Sequence, residues 1–349
     1  MRKIAIIGHY GADTDLCDGQ TVKIKSLVSA IQATRPDVNL KIVDTYYMMN
    51  SRKLYFCWLL LSTLLTTKHI IFLPAARGRL YMFKFFYYVG KVMGKKLYHD
   101  CIAGSLDEEL IEHPIWIKYL NSFEYNWMES PEQVEKLKRM GVINAEFLPN
   151  FKNLQPVIIT DSIKPISTKT FKFCIFSRVL PMKGIEDAME AIECLHEKKG
   201  VDVYLDIYGP IEKGQEEWFE KALNKYSNIC SYKGVVQFEK SVDVLKDYFA
   251  LLFPTRFYTE GMPGTIIDAM FAGLPVIARR WAWCDNMITN GVNGISYDFD
   301  HPELLNDILE RIIDKPQIIF DMKKNCVKKA EEYSPKKICQ RIFEAISWE

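Results

Sequence analysis

Two acids, two cations and a pair of glycines carry the chemistry this sequence can do. Glu260 and Asp268 stand eight positions apart and bracket Gly261-Met262-Pro263-Gly264-Thr265. Gly261 and Gly264 let a ligand approach the main chain closely, and the helix that starts here aims N–H groups and its positive dipole end at whatever binds. Such a start attracts a phosphate. With Glu260 at the loop tip and Asp268 just over a turn into the helix, the two carboxylates can address different hydroxyl groups of one extended ligand. Arg178 and Lys183 share a second loop, Ser177 to Gly184. Two cations there suit a leaving phosphate on which charge grows as a bond breaks, each charge-assisted bond being worth roughly 1.5 to 3 kcal/mol.

These residues need strands that deliver loops to one edge. Leu251-Leu252-Phe253 reads as a strand end broken by Pro254, and Ile266, Ile267, Ala269, Met270 and Ala272 form the next helix. Gly273-Leu274-Pro275 ends that helix, and Val276-Ile277-Ala278 is the following buried strand. Phe171 to Phe176 and a helix of Ile185, Ala188, Met189 and Ile192 frame the cationic loop. In the front half Lys3 to Ile7 is a strand, and a loop containing Gly11 and Gly19 leads into a helix faced by Ile24, Leu27, Val28 and Ile31. In an open α/β sheet such loops lie where ligands bind. Gly8 and Gly11 do not complete G-x-G-x-x-G, which argues against a dinucleotide. Strands follow at 40–44, 69–73 and 96–100, the last ending His99-Asp100, then a helix over 106–120.

The ordered string of Glu260, Asp268, Ala272-Gly273-Leu274-Pro275-Val276 and Asn290-Gly291-Val292-Asn293-Gly294 resembles the signature of retaining GT-B glycosyltransferases of family 4, the group 1 type. Leu148-Pro149-Asn150-Phe151-Lys152-Asn153 is similar to the end of the first domain in bacterial capsule and surface-polysaccharide glycosyltransferases. The second acid here is Asp where that family has Glu, so its reach is shorter by about 1.5 Å. The resemblance implies an α/β GT-B fold, two Rossmann-like domains with parallel sheets facing a central cleft. It places an acceptor domain over 1–165, with a helix at 335–349 crossing back, and a donor domain over 166–334. By the same resemblance Arg178 and Lys183 hold the donor diphosphate, Glu260 orients the donor sugar and Asp268 the ribose. Gly261, Met262, Pro263, Gly264 and Thr265 line the donor, Gly11 and Gly19 face it, and Val236 contacts the base. His99 is expected to shape the acceptor side.

The implied reaction is retaining transfer of a hexose-type sugar from a nucleotide diphosphate sugar, UDP-sugar favoured, to a saccharide acceptor in surface polysaccharide or lipopolysaccharide assembly, and the basic aromatic stretch at 77–96 favours an acceptor that is lipid-linked. No cofactor is expected, and no metal. Asp13-Thr14-Asp15 and Asp298-Phe299-Asp300 satisfy D-x-D, but the second precedes a helix as a cap and the first is a plain loop. A catalytically silent nucleotide-binding or partner subunit is the alternative, with a sugar-nucleotide epimerase behind it.

At 349 residues two domains are expected. The net charge of +1 hides an asymmetry, since residues 1–155 hold 20 Lys and Arg against 15 Asp and Glu. The front half therefore suits an anionic partner. Nothing suggests nucleic acid. Nine cysteines without a C-x-x-C pair suggest reduced thiols in a cytoplasmic setting rather than a disulfide or zinc framework. The start is too short in apolar residues for a signal peptide, and the longest apolar run, 56–65, is about half the roughly 20 residues of a membrane span. Residues 77–96 combine Lys84, Lys91 and Lys95 on one helical side with aromatic residues, a pattern suited to peripheral contact with an anionic membrane at its inner face.

Overall fold

The computed structural model describes residues 2–11, 19–48, 52–102, 106–159 and 170–347. Asp13 and Asp15 lie outside them. The chain divides into two units, Met1–Asn153 with Tyr333–Glu349, and Leu154–Glu332. The division falls at Asn153 and Leu154, earlier than the boundary at 165 that the resemblance implies. Val157 N–H donates to Phe271 O at 2.9 Å, which ties this segment into the second unit.

The first unit runs β1 (Lys3–Gly8), α1 (Gly19–Thr34), β2 (Asn39–Asp44), α2 (Lys53–Thr66), β3 (His69–Leu73), α3 (Ala76–Met93), β4 (Lys96–Asp100), α4 (Leu106–Glu112), α5 (Ile115–Leu120), β5 (Tyr125–Met128), α6 (Pro131–Arg139) and β6 (Ala145–Phe147). Its strands pair in parallel in the order β2-β1-β3-β4-β5-β6. A parallel sheet is covered on both faces, which is why Ile4 to Ile7 is apolar without alternation. One face packs Phe72 against Phe56, Phe83, Phe86, Trp116 and Leu137 from α2, α3, α5 and α6. The opposite face packs Ile4, Ile6, Tyr98 and Trp127 against α1 and a last helix, which supplies Ile338, Ile342 and Ile346. The helix expected over 106–120 is two, α4 and α5, because Pro114 lacks the N–H that would continue the ladder.

The second unit runs β7 (Thr170–Phe176), α7 (Ile185–Lys199), β8 (Asp202–Tyr208), α8 (Glu216–Lys225), β9 (Cys230–Gly234), α9 (Ser241–Leu245), β10 (Ala250–Phe253), α10 (Gly264–Phe271), β11 (Val276–Arg279), α11 (Cys284–Met287), β12 (Gly294–Tyr297), α12 (Leu304–Asp314) and α13 (Gln317–Ala330). The chain then returns to the first unit as α14 (Pro335–Ile346). The order β12-β11-β10-β7-β8-β9, again parallel, reverses direction between β10 and β7. Loops after β7 and β10 therefore emerge side by side at the carboxyl edge, the place where an open α/β sheet offers a crevice. α12 starts only at Leu304, so Asp300 is not its cap; Asp298 instead accepts the Asp300 N–H at 2.8 Å in a tight turn.

Candidate active site

β10 is buried along its whole length and ends at Phe253, just before Pro254. The next residue, Thr255, is buried and organises the loop beyond it: its hydroxyl accepts from Phe257 N–H at 3.2 Å and donates to Glu260 Oε2 at 3.1 Å. The same carboxylate oxygen accepts from Lys183 Nζ at 2.6 Å. Lys183 comes from the loop after β7, within a 3-10 turn over Pro181–Lys183, and its ammonium also lies 5.2 Å from the Phe257 ring centroid. Two of the expected residues thus meet as an ion pair with side chains 10% and 19% exposed, open enough for a ligand to compete.

The two loops are one piece. Gly184 has φ 69°, and a Cβ there would land on the carbonyl of Pro254, so only glycine allows the approach. Arg256 N–H donates to Met182 O at 2.9 Å, and the Arg256 guanidinium reaches back to Asp187 in the first turn of α7, with Nε 3.1 Å from Oδ2. A third loop braces them. Trp281, 1% exposed after β11, packs edge-on to Phe253 and donates its indole N–H to Gly261 O at 3.2 Å. Ala282 N–H donates to Tyr258 O at 2.8 Å.

Beyond Gly261, Met262 and Pro263 are buried and α10 begins at Gly264 with Pro263 as its N-cap. Proline offers no side-chain acceptor, so no cap hydrogen bond covers this helix start, and the buried Thr265 hydroxyl oxygen has no protein partner. An uncapped helix start is a place where an anion's oxygens can be received. Asp268, further along α10, is buried and accepts from the Ser241 hydroxyl at 2.9 Å in α9. The shorter acid is held against the neighbouring helix.

Arg178 pairs with a different carboxylate. Its guanidinium is 3.0 Å from Glu212, and both side chains are about half exposed. Val236 is half-buried just past β9.

The first unit holds the remaining candidate residues. His99 is fully buried, 5.4 Å from Phe72 and 4.9 Å from Phe83 between ring centroids, with Nδ1 3.2 Å from Asn126 Oδ1. Burial, reinforced by the nearby Arg79 charge, pushes its pKa down to about 3, so the ring is neutral and packed in an aromatic core. The polar centre at this sheet edge is its neighbour. Asp100 Oδ1 lies 2.7 Å from Lys23 Nζ of α1, and Glu129 Oε1 lies 2.9 Å from it. Burial alone would lower the Lys23 pKa, but the two carboxylates together hold it above its usual value. Burial raises Asp100 against the opposing pull of Lys23. Gly11 is buried with φ 57°, whereas Gly19 opens α1 with empty space where a side chain would go.

Comparison with known proteins agrees with this architecture. Anabaena HepE in complex with UDP and glucose superimposes with a TM-score of 0.72, covering 99% of this chain and 100% of that one at 14% identity. Sucrose-phosphate synthase of Thermosynechococcus elongatus gives 0.74 at 14% identity, covering 99% and 98%. The lipopolysaccharide outer core galactosyltransferase WaaB gives 0.67 at 16% identity, covering 99% of each chain. At these identities the likeness is one of fold, the GT-B arrangement of two Rossmann-like units. In sequence, an uncharacterized glycosyltransferase of Methanocaldococcus jannaschii is 21% identical over 269 residues, 75% of this chain and 63% of the relative's length. The chain thus spans less than two thirds of that relative. The family model for glycosyl transferases group 1 matches residues 159–333, half of the chain and nearly all of the unit that holds the Lys183–Glu260 pair: the protein belongs to the group 1 glycosyl transferases.

Proposed function

We propose that this protein is a retaining glycosyltransferase of family 4 type that works without a metal ion, moving a hexose-type sugar from a UDP-sugar to a saccharide acceptor carried on a lipid. The observation that carries the reading is the Lys183–Glu260 pair set beside the uncapped start of α10. A nucleoside diphosphate entering there exchanges its own negative charge for that of Glu260 on Lys183. Glu260 is then released to accept hydrogen bonds from sugar hydroxyls. Arg178 adds a second cation once it leaves Glu212, and the growing charge on the β-phosphate is stabilised by both. The departing phosphate takes the acceptor's proton on the same face, so the sugar keeps its configuration. Asp268 addresses the ribose from the position that Ser241 fixes. Val236 lies against the base.

UDP as the nucleotide is supported by the neighbours whose complexes contain UDP, and polysaccharide assembly by the WaaB likeness. A cytoplasmic protein in peripheral contact with the inner membrane face through residues 77–96 fits a lipid-borne acceptor. The deciding experiment is thermal stabilisation by UDP-, GDP- and ADP-sugars in EDTA, for wild type beside Glu260→Ala and Arg178→Ala. A donor at 100 times its Kd stabilises by about 2.7 kcal/mol. A selective shift with one UDP-sugar, weakened by both substitutions, is the expected result. No shift with any donor would overturn the reading in favour of a silent subunit, and activity lost in EDTA and restored by manganese would overturn metal independence.

A further inference from the structure

We propose that α2 is a membrane-inserting element: its outward face enters the acyl boundary of an anionic phospholipid bilayer while the basic flank of α3 meets the headgroups. This rests on the membrane contact proposed for residues 77–96 and adds to it the element that enters the lipid. α2 reads Lys-Leu-Tyr-Phe-Cys-Trp-Leu-Leu-Leu-Ser-Thr-Leu-Leu-Thr and is apolar on every side, yet only Phe56, Thr63 and Leu64 are buried. A helix that is hydrophobic all round is ordinarily covered all round. Here the protein covers one side. Leu54, Trp58, Leu61 and Leu65 recur at helical spacing and form a single outward stripe, with Leu54 88% and Trp58 63% exposed.

Charge decides what covers it. Neither α2 nor α3 contains an acidic residue, and α3, which packs on the same face of the sheet, exposes Lys84 and Lys91 beside Tyr81 and Tyr88. A second copy of the chain, joined by a two-fold axis, would bring the same positive face against itself. An anionic bilayer meets it with opposite charge. Geometry says that the helix lies in the surface. Fourteen residues span about 21 Å, short of the hydrocarbon core of roughly 30 Å, and no helix of the described residues is long and apolar enough to cross a membrane. A tryptophan at the polar boundary with leucines beneath it is the pattern of an in-plane helix.

The test is co-sedimentation of the full chain with vesicles of phosphatidylcholine alone and of phosphatidylcholine with phosphatidylglycerol. The variants are Trp58→Ser with Leu61→Ser, and Lys84→Glu with Lys91→Glu, with melting curves and donor-induced stabilisation read on each. These side chains are exposed, so both variants keep wild-type melting and donor response, which separates loss of docking from failure of the donor site. We expect at least tenfold tighter partition to the anionic vesicles, and a tenfold loss for each variant. Anionic vesicles shift wild-type tryptophan emission to the blue, and Trp58→Phe abolishes most of that shift. Protein left free of anionic vesicles at low salt would overturn docking as a whole. Loss in the lysine variant alone would overturn the role of α2. A dimer in sedimentation equilibrium that the Trp58→Ser, Leu61→Ser variant dissolves would make the stripe a subunit interface instead.

Discussion

Glu260→Gln should tighten the binding of UDP while weakening the advantage of UDP-sugar over UDP. In the free protein the Glu260 carboxylate occupies Lys183 at 2.6 Å and so competes with an incoming diphosphate. A charge-assisted bond of this kind is worth roughly 1.5 to 3 kcal/mol when desolvated. The two side chains are 10% and 19% exposed, so solvent screening brings the competing contribution to about 1 kcal/mol. That is about fivefold in affinity for UDP, gained when the carboxylate becomes an amide. For UDP-sugar the gain is offset by the lost carboxylate contacts to sugar hydroxyls, of the same size or larger. Isothermal titration of UDP and UDP-sugar against wild type, Glu260→Gln and Lys183→Met reads the ratio directly. Lys183→Met should weaken both ligands at least tenfold. If Glu260→Gln weakened UDP as much as UDP-sugar, or if Lys183→Met left UDP unaffected, the exchange of Glu260 for diphosphate on Lys183 would be refuted.

Two other outcomes concern the site's supports and the core of the first unit. Trp281→Phe keeps the packing on Phe253 but removes the N–H that Gly261 O accepts, so it should cost about 1 kcal/mol, a drop of about 2 to 4 °C in the melting of the second unit, with donor affinity falling several-fold; unchanged donor affinity would show that the brace does not position the loop. His99, depressed to about 3 by burial, stays neutral in the folded state while the unfolded chain protonates near 6.5. Its contribution to stability is therefore fully present above about pH 6.5 and is lost as pH falls toward 3, by roughly 1.4 kcal/mol per unit, and urea unfolding of His99→Leu between pH 4 and 7 should show a shallower slope than wild type.

The candidate site of the second unit is legible in the sequence because its signals are local. Glycine, proline and charge at the ends of apolar runs mark loops at one sheet edge, and Lys183 and Glu260 stand out that way. What escapes depends on distant partners. Lys23 lies beside the apolar face of α1 with nothing near it in sequence to mark its partners, since Asp100 and Glu129 lie 77 and 106 residues away. His99 and Asp100 are adjacent in sequence, but successive strand residues face opposite ways. One goes into the aromatic core and the other to Lys23, and nothing in the dipeptide says which. Trp281 is conspicuous as an odd residue after β11, yet its partner is a carbonyl, which leaves no mark on a sequence. The apolar run of α2 is visible as hydrophobic; that its outer stripe stays uncovered emerges only with the sheet and its neighbours in place.

The contact between Gly184 and Pro254 sets a rule for how this site can be changed. The loop after β7 and the loop after β10 are joined there, at Arg256 with Met182 and Asp187, and at Lys183 with Glu260. Neither can be transplanted from a relative without the other, because a foreign partner would meet a carbonyl where it needs space or lack the carboxylate that its cation needs. Grafts into this edge should therefore fold only when residues 177–187 and 254–264 travel as a pair, and the heritable unit here is a two-loop module rather than a single segment.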